Sequence, residues 1–168
     1  MTTQIVYALQ TETEVPDYIT TWTQGLDYDR LGTPMDRLIV IGARLAALKK
    51  SFRAADMSDQ ALVETAALLE QDLIAWSDDN STEGSACSFR TFRETDASNS
   101  WNGWRHEYPR LLVYHYWNCW RTMRILLTWM QEALWRRSWP TLVQSMGGLV
   151  DPNYYKGIRN GVVADICK

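Results

Sequence analysis

Hydrophobic positions along the chain recur at spacings of three and four, and no run alternates polar with apolar at the period of two that a half-buried strand requires. Thr33-Pro34-Met35-Asp36 has the makings of a helix start. Threonine caps, proline suits the first turn, and aspartate favours the positive end of the helix dipole. Met35, Leu38, Ile39, Leu45, Leu48 and Phe52 follow on one side, and Lys49, Lys50 and Arg53 close the polar face, so a helix is expected over 34–54. Ser58-Asp59 opens a second, expected over 59–77, with Ala61, Leu62, Ala66, Leu69, Leu73 and Trp76 as its stripe and Glu64 and Gln71 opposite. Shorter helices are expected at 3–10 and after Pro16, where Tyr18, Ile19 and Trp22 share a face, with a loop from Gly25 to Gly32.

From Ser77 to Gly103 the chain turns to Ser, Asp, Asn, Thr and Gly, interrupted only by the segment SFRTFR. This predicts a flexible connection over about 78–103, least ordered near 79–86. Beyond it lies RHEYPRLLVYHYWNCWRTMRILLTWMQEALWRR, which predicts a single long helix over about 109–139, ended by Pro140. On its wheel Leu112, Tyr116, Cys119, Met123, Leu127, Met130 and Leu134 share one face, Tyr114, Arg121, Thr128 and Glu132 lie opposite, and Trp117, Trp120, Trp129 and Trp135 fall between. A helix apolar over more than half its circumference belongs between other helices. A short helix after Pro140, a loop DPNYYKG and a last helix IRNGVVADICK complete the expected architecture. That architecture is all-α, one domain over 1–168, with five to seven helices around the long buried one.

Composition narrows the function classes. The net charge of -3 lacks the basic footprint of a free-standing nucleic-acid binder, so no direct nucleic-acid contact is expected. Three cysteines (Cys87, Cys119, Cys167), far apart and odd in number, and only two histidines (His106, His115) make no zinc-ligand set, and neither a metal nor a cofactor is expected. No uncharged apolar stretch is long enough to span a bilayer, and MTTQIVYALQTETE has neither the basic region nor the apolar run of a signal peptide. The expected location is therefore inside the cell, in cytoplasm or nucleus, away from membranes. Nine tryptophans are well above expectation and point either to a strongly packed core or to an aromatic-lined pocket.

Trp104, Tyr108-Pro109, Trp117-Asn118, Arg121, Arg124-Ile125-Leu126 and, after a gap, Ala164-Asp165-Ile166-Cys167 stand in the order "W…YPR…WN.WR..RILL…ADIC". That order resembles the fungal-specific transcription factor domain, the helical regulatory region of fungal zinc-cluster transcription factors. The resemblance covers about residues 30–168 and is most specific over 104–126. It implies a helical fold in which the YP…WN motif opens a long buried helix and the DIC motif opens a later one. This sequence departs from the family pattern in two ways. The six-cysteine zinc cluster is absent, and Lys168 follows the DIC motif directly, where the family continues through several more helices. The resemblance thus implies a truncated domain that does not read promoters on its own.

Three functional classes follow. The first is a regulatory, ligand-binding domain for a hydrophobic small molecule, with Trp104, Tyr108, Trp117, Asn118, Trp120 and Arg124 as candidate ligand contacts. The second is a small cyclase or isomerase of fungal secondary metabolism on the same scaffold. It would draw proton donors and positioning groups from His115, His106, Arg121 and Tyr114. The third is a homodimerisation module, because loss of the family's later helices would bare apolar surface. Each candidate also has a plain structural reading: the arginines pair with acids or carbonyls and stack on tryptophan, the histidines are hydrogen-bonded, and the aromatics are core.

Overall fold

The structure is a computed structural model, and it describes residues 33–93 and 104–146, with side chains up to Arg137, together with Thr21, Gly157, Asn160 and Gly161. The helices expected at 3–10, after Pro16 and at the DIC motif fall outside the described residues, as does Trp101. Three helices and a two-stranded sheet make up the described part, which is mostly helical; the helices are α1 (Pro34–Ala54), α2 (Asp59–Ser81) and α3 (Leu111–Met146).

Helix α1 starts where its cap chemistry places it. The Thr33 hydroxyl accepts from the Asp36 amide at 3.2 Å and donates to the Asp36 carboxylate at 2.7 Å, with Pro34 in the first turn. It ends on Ala55 at φ 52°, the left-handed conformation that usually falls to glycine. Helix α2 is capped by the Ser58 hydroxyl, which accepts from the Ala61 amide at 3.2 Å. It buries Leu62, Ala66, Leu69, Leu73, Trp76 and Asn80. It runs past the expected end at residue 77 because the polar residues there serve the helix rather than a loop. Asn80 is buried and donates to the Trp76 carbonyl at 2.8 Å, and Thr82 donates to the Asp78 carbonyl at 2.9 Å.

The connection expected at 78–103 is partly ordered structure. Residues 82–88 turn through Gly84 at φ 92°, and Arg90–Arg93 (β1) then pairs antiparallel with Trp104–Glu107 (β2). The register sets Thr91 opposite His106 and Phe92 opposite Arg105. No strand was expected, and the correction has a simple cause: four residues are too short for a period of two to stand out. Three helices of the expected five to seven stand among the described residues, and those expected at 3–10, after Pro16 and at the DIC motif lie outside them.

Helix α3 begins at Leu111, two residues later than expected, and continues through Pro140 to Met146. A proline removes one amide donor and bends a helix without having to end it. The three helices pack against one another pairwise. The inward face of α3 is broader than the expected stripe and is turned toward its tryptophans. Val113, Trp117, Cys119, Trp120, Met123, Leu127, Met130 and Leu134 are buried, and so are Arg121, Thr128 and Gln131. Arg121 and Thr128, expected on the polar side, lie inside at 2% exposure each, while Leu112, Tyr114 and Trp129 lie outside.

Three buried indoles bind the parts together. Trp76 donates to the Pro34 carbonyl at 2.7 Å, Trp120 to the Leu73 carbonyl at 2.8 Å, and Trp117 to the Cys87 carbonyl at 2.9 Å. These bonds join α2 to the start of α1, α3 to α2, and α3 to the connection after α2. Edge-on contacts at 5.1 Å (Trp76–Trp117) and 5.4 Å (Trp117–Trp120) make the rings one chain.

Trp120→Phe should cost about 2–4 kcal/mol in urea unfolding, through the lost Leu73 bond and the space left behind, whereas Trp129→Phe should change stability by less than about 0.5 kcal/mol. Ala55→Gly should raise stability by about 1 kcal/mol by relieving the left-handed alanine, read as a higher denaturation midpoint at unchanged slope.

Candidate functional site

The sequence motif YP…WN..R gathers into one contact set at the junction of β2 and α3. Arg121 Nη2 donates to the Tyr108 hydroxyl at 2.7 Å and Nη1 to Asn118 Oδ1 at 3.3 Å. The same guanidinium sits 5.8 Å from the Tyr108 ring and 5.9 Å from the Trp117 ring. Phe89 packs on Trp117 at 4.8 Å, on His106 at 4.7 Å and on Tyr108 at 5.2 Å. A guanidinium buried this deeply needs such partners, since its charge has left water.

Tyr108 is thus the hub on which three of the four candidate acid–base or positioning residues meet. Besides Arg121, the Tyr114 ring lies 5.4 Å and the His106 ring 6.1 Å from it. His106 Nδ1 and the Thr91 hydroxyl are hydrogen-bonded at 2.8 Å across the strands. His115 is not among these neighbours; it lies one turn from Cys119, with Nε2 and Sγ 3.7 Å apart. His106, Tyr108 and Tyr114, with Arg105, Glu107 and Arg110, border a shallow, open depression of about 390 Å³.

The remaining candidate ligand contacts are dispersed. Trp104 is exposed at the start of β2, and Trp117 and Trp120 are core. Arg124 lies over Trp120 at 5.4 Å and reaches Glu70 at 3.9 Å, while Gln131 donates to Glu70 at 2.9 Å, so this polar group links α3 to α2.

A larger recess lies elsewhere among the described residues, in a groove of about 530 Å³ between α1 and α3. Leu45, Lys49, Phe52 and Arg53 form the α1 side. Thr122, Ile125, Leu126, Trp129, Met130 and Ala133 form the α3 side. Its volume is that of a small-molecule site. One end is held in place: Arg137 lies 4.9 Å from the Phe52 ring, while its guanidinium is hydrogen-bonded and ion-paired to Asp59, with Nε to Oδ2 at 3.1 Å. None of the candidate ligand contacts lines it. A usable signal was present in the wheel of α3, where Thr122, Ile125, Trp129 and Ala133 form a mostly apolar back face that a helix buried on one side has no structural reason to carry.

Among the described residues no group of three or more His, Cys, Asp or Glu is placed to hold a metal ion, and no helix is long and apolar enough to cross a membrane. Cys87 and Cys119 are free thiols. Burial pushes the Cys119 thiol up to about 11 and raises Cys87 in the same direction. The chain was compared with protein-family models, with curated proteins and with solved structures, and nothing matched.

The thiol shifts give a pH dependence. Both thiols stay protonated in the fold above the pH at which they ionise in the unfolded chain, so their contribution to stability is complete below about pH 9 and is lost as pH climbs from there toward 11. Unfolding free energy measured across that window should fall, and the fall should be shallower in Cys119→Ala.

Proposed function

We propose that the chain is a helical regulatory domain that binds a hydrophobic small molecule in the groove between α1 and α3, and that its kinship is with the helical region of the fungal-specific transcription factor domain. One observation carries the ligand reading. Trp129 is 52% exposed, yet it lies against a recess lined mainly by Leu45, Phe52, Ile125, Leu126 and Met130. An indole left at a concave apolar surface gains contact area only when something fills the recess. The kinship is supported by the way Tyr108, Trp117, Asn118 and Arg121 lock together. Residues of the quoted motif form one structural unit at the start of the long helix, which accounts for their joint appearance in the sequence.

The catalytic reading finds less to stand on. The depression bordered by His106 and Tyr114 is open to water, and a proton-transferring site for a hydrophobic substrate works by excluding it. The Tyr108 hydroxyl and the Arg121 guanidinium are engaged with each other, and His106 is bonded to Thr91. No cofactor enters the proposal.

Nile red, an uncharged dye that brightens in apolar surroundings, should bind and quench a part of the tryptophan emission that is missing in Trp129→Phe. Ala133→Trp, which fills the groove, should weaken binding by at least about tenfold, while Tyr114→Ala should leave it unchanged. Equal binding to wild type and Ala133→Trp, with loss in Tyr114→Ala, would move the site to the depression beside β2 and end this reading.

A further inference from the structure

The junction of β2 and α3 bears a second surface feature, which shares no residue with the groove between α1 and α3. Leu111, the first residue of α3, is 82% exposed, and Trp104, Leu112 and Tyr114 are exposed on the same short stretch. A single apolar side chain in water needs no explanation, but four so close together make a patch. The charge around them is lopsided. In the described segments 88–93 and 104–115, Arg90, Arg93, Arg105 and Arg110 stand against one carboxylate, Glu107, in a chain whose net charge is -3. Arg105 already stacks over Phe92 at 4.7 Å. Arg90, Arg93 and Arg110 are exposed, and none of their guanidinium groups pairs with an acid among the described residues. Elsewhere the fold matches arginine with an acid, as in Arg37 with Asp79, Arg44 with Asp72 and Arg137 with Asp59. The strand register puts Arg93 beside Trp104 and Arg90 beside Glu107. Arg110 borders the shallow depression of about 390 Å³, whose apolar lining is Tyr108, Leu111 and Tyr114.

From these unmatched guanidinium groups beside bared apolar side chains we infer that the β2–α3 junction docks an acidic peptide segment of a partner protein, one that carries a leucine or aromatic anchor. The anchor enters the depression between Tyr108, Leu111 and Tyr114, and the carboxylates of the segment lie at Arg90, Arg93 and Arg110. The planar fork of arginine matches a carboxylate. Charge complementarity at the rim orients the encounter, and the apolar centre supplies affinity. No existing bond has to break, because the Tyr108 hydroxyl stays with Arg121 and only its ring is used. Two other polyanions suit the surface less well. A single nucleic-acid strand stacks bases on aromatic faces but offers nothing apolar to Leu111 and Leu112. An anionic bilayer is recruited by larger basic clusters and has no side chain to fill a recess.

Fluorescence anisotropy of a labelled peptide that alternates aspartate with leucine, titrated with the full chain, tests the inference. Two comparison peptides replace aspartate by asparagine or leucine by serine. The acidic leucine peptide should bind most tightly, and the asparagine peptide about tenfold more weakly, the yield of three exposed ion pairs. The serine peptide should lose at least about tenfold through the missing apolar contact. Arg90→Gln/Arg93→Gln/Arg110→Gln should bring the acidic peptide down to the affinity of the asparagine peptide and leave the latter as it was. Leu111→Ser should weaken both leucine-bearing peptides by at least about tenfold. All four substituted side chains are exposed, so the urea midpoints should match the wild type. Rising salt should erode only the advantage of the acidic peptide. Equal affinity for the aspartate and asparagine peptides overturns the acidic assignment, and indifference to both the triple substitution and Leu111→Ser overturns the location. Absence of binding by the acidic peptide, or tighter binding of oligothymidylate or of phosphatidylserine vesicles, overturns the inference as a whole.

Discussion

A buried indole carries one donor that must find an acceptor, and that requirement organises this structure more than any other. Trp76, Trp117 and Trp120 each give their N–H to a backbone carbonyl in a different segment. Leaving such a donor unpaired in the core costs about 1–3 kcal/mol, so each bond penalises sliding of one element along another. Apolar packing alone lacks that directional penalty, because leucine and methionine tolerate small shifts. Three indole bonds therefore fix the start of α1 on α2, the height of α3 on α2, and the path of the chain leaving α2. The edge-on ring contacts among the same residues add rigidity in the remaining directions.

The buried arginine follows from this arrangement. With Trp117 turned inward to reach Cys87, the position one turn later, Arg121, is carried inward as well. Its charge is then held by the Tyr108 hydroxyl, Asn118 and the faces of Tyr108 and Trp117. The interaction also explains the short sheet. Phe89, just before β1, and Tyr108, just after β2, both pack into this cluster, so the strands are tethered at the end where they meet the helices. Two four-residue strands alone would be marginal in water.

How much was legible depended on whether the signal was local. The bounds of α1 and the start of α2 were readable because Thr33, Pro34, Asp36 and Ser58 act on their own backbone neighbours. The stripe of α2, Leu62 to Trp76, was readable because one packed face leaves one period in the sequence. The last turn of α2 was not, since Asn80 and Thr82 look like loop residues until their side chains are seen bonding to the preceding turn. The inward direction of α3 was misjudged by about a sixth of a turn. Hydrophobicity pointed to Cys119 and Met123, whereas indole hydrogen bonds pulled Trp117 and Trp120, and with them Arg121 and Thr128, into the core. The groove was only half legible: the wheel of α3 carried one apolar side, but the other side comes from α1, and no single segment encodes their meeting. Its residues had been noted separately, Lys49 and Arg53 as charges suited to a helix end and Trp129 as one of several interior aromatics.

Lys49 and Arg53 have a structural reason to stand where they do. The last turns of a helix carry partial negative charge, so lysine and arginine are favourable near the end of α1 whether or not anything binds. The groove borders that end, so both side chains line it for a reason that no ligand supplies. The apolar side is equally well supported: Leu45 forms its floor while fully buried in the core, and Phe52 is held by Arg137, itself anchored on Asp59 of α2. These two residues of the α1 side are thus fixed by contacts that the fold requires anyway. A trough so held is pre-organised, and a ligand entering it would not have to order the protein in order to bind. That separates this recess from the depression beside Tyr108, whose hydroxyl accepts from Arg121 in joining the sheet to α3 and would have to be released before it could serve a ligand.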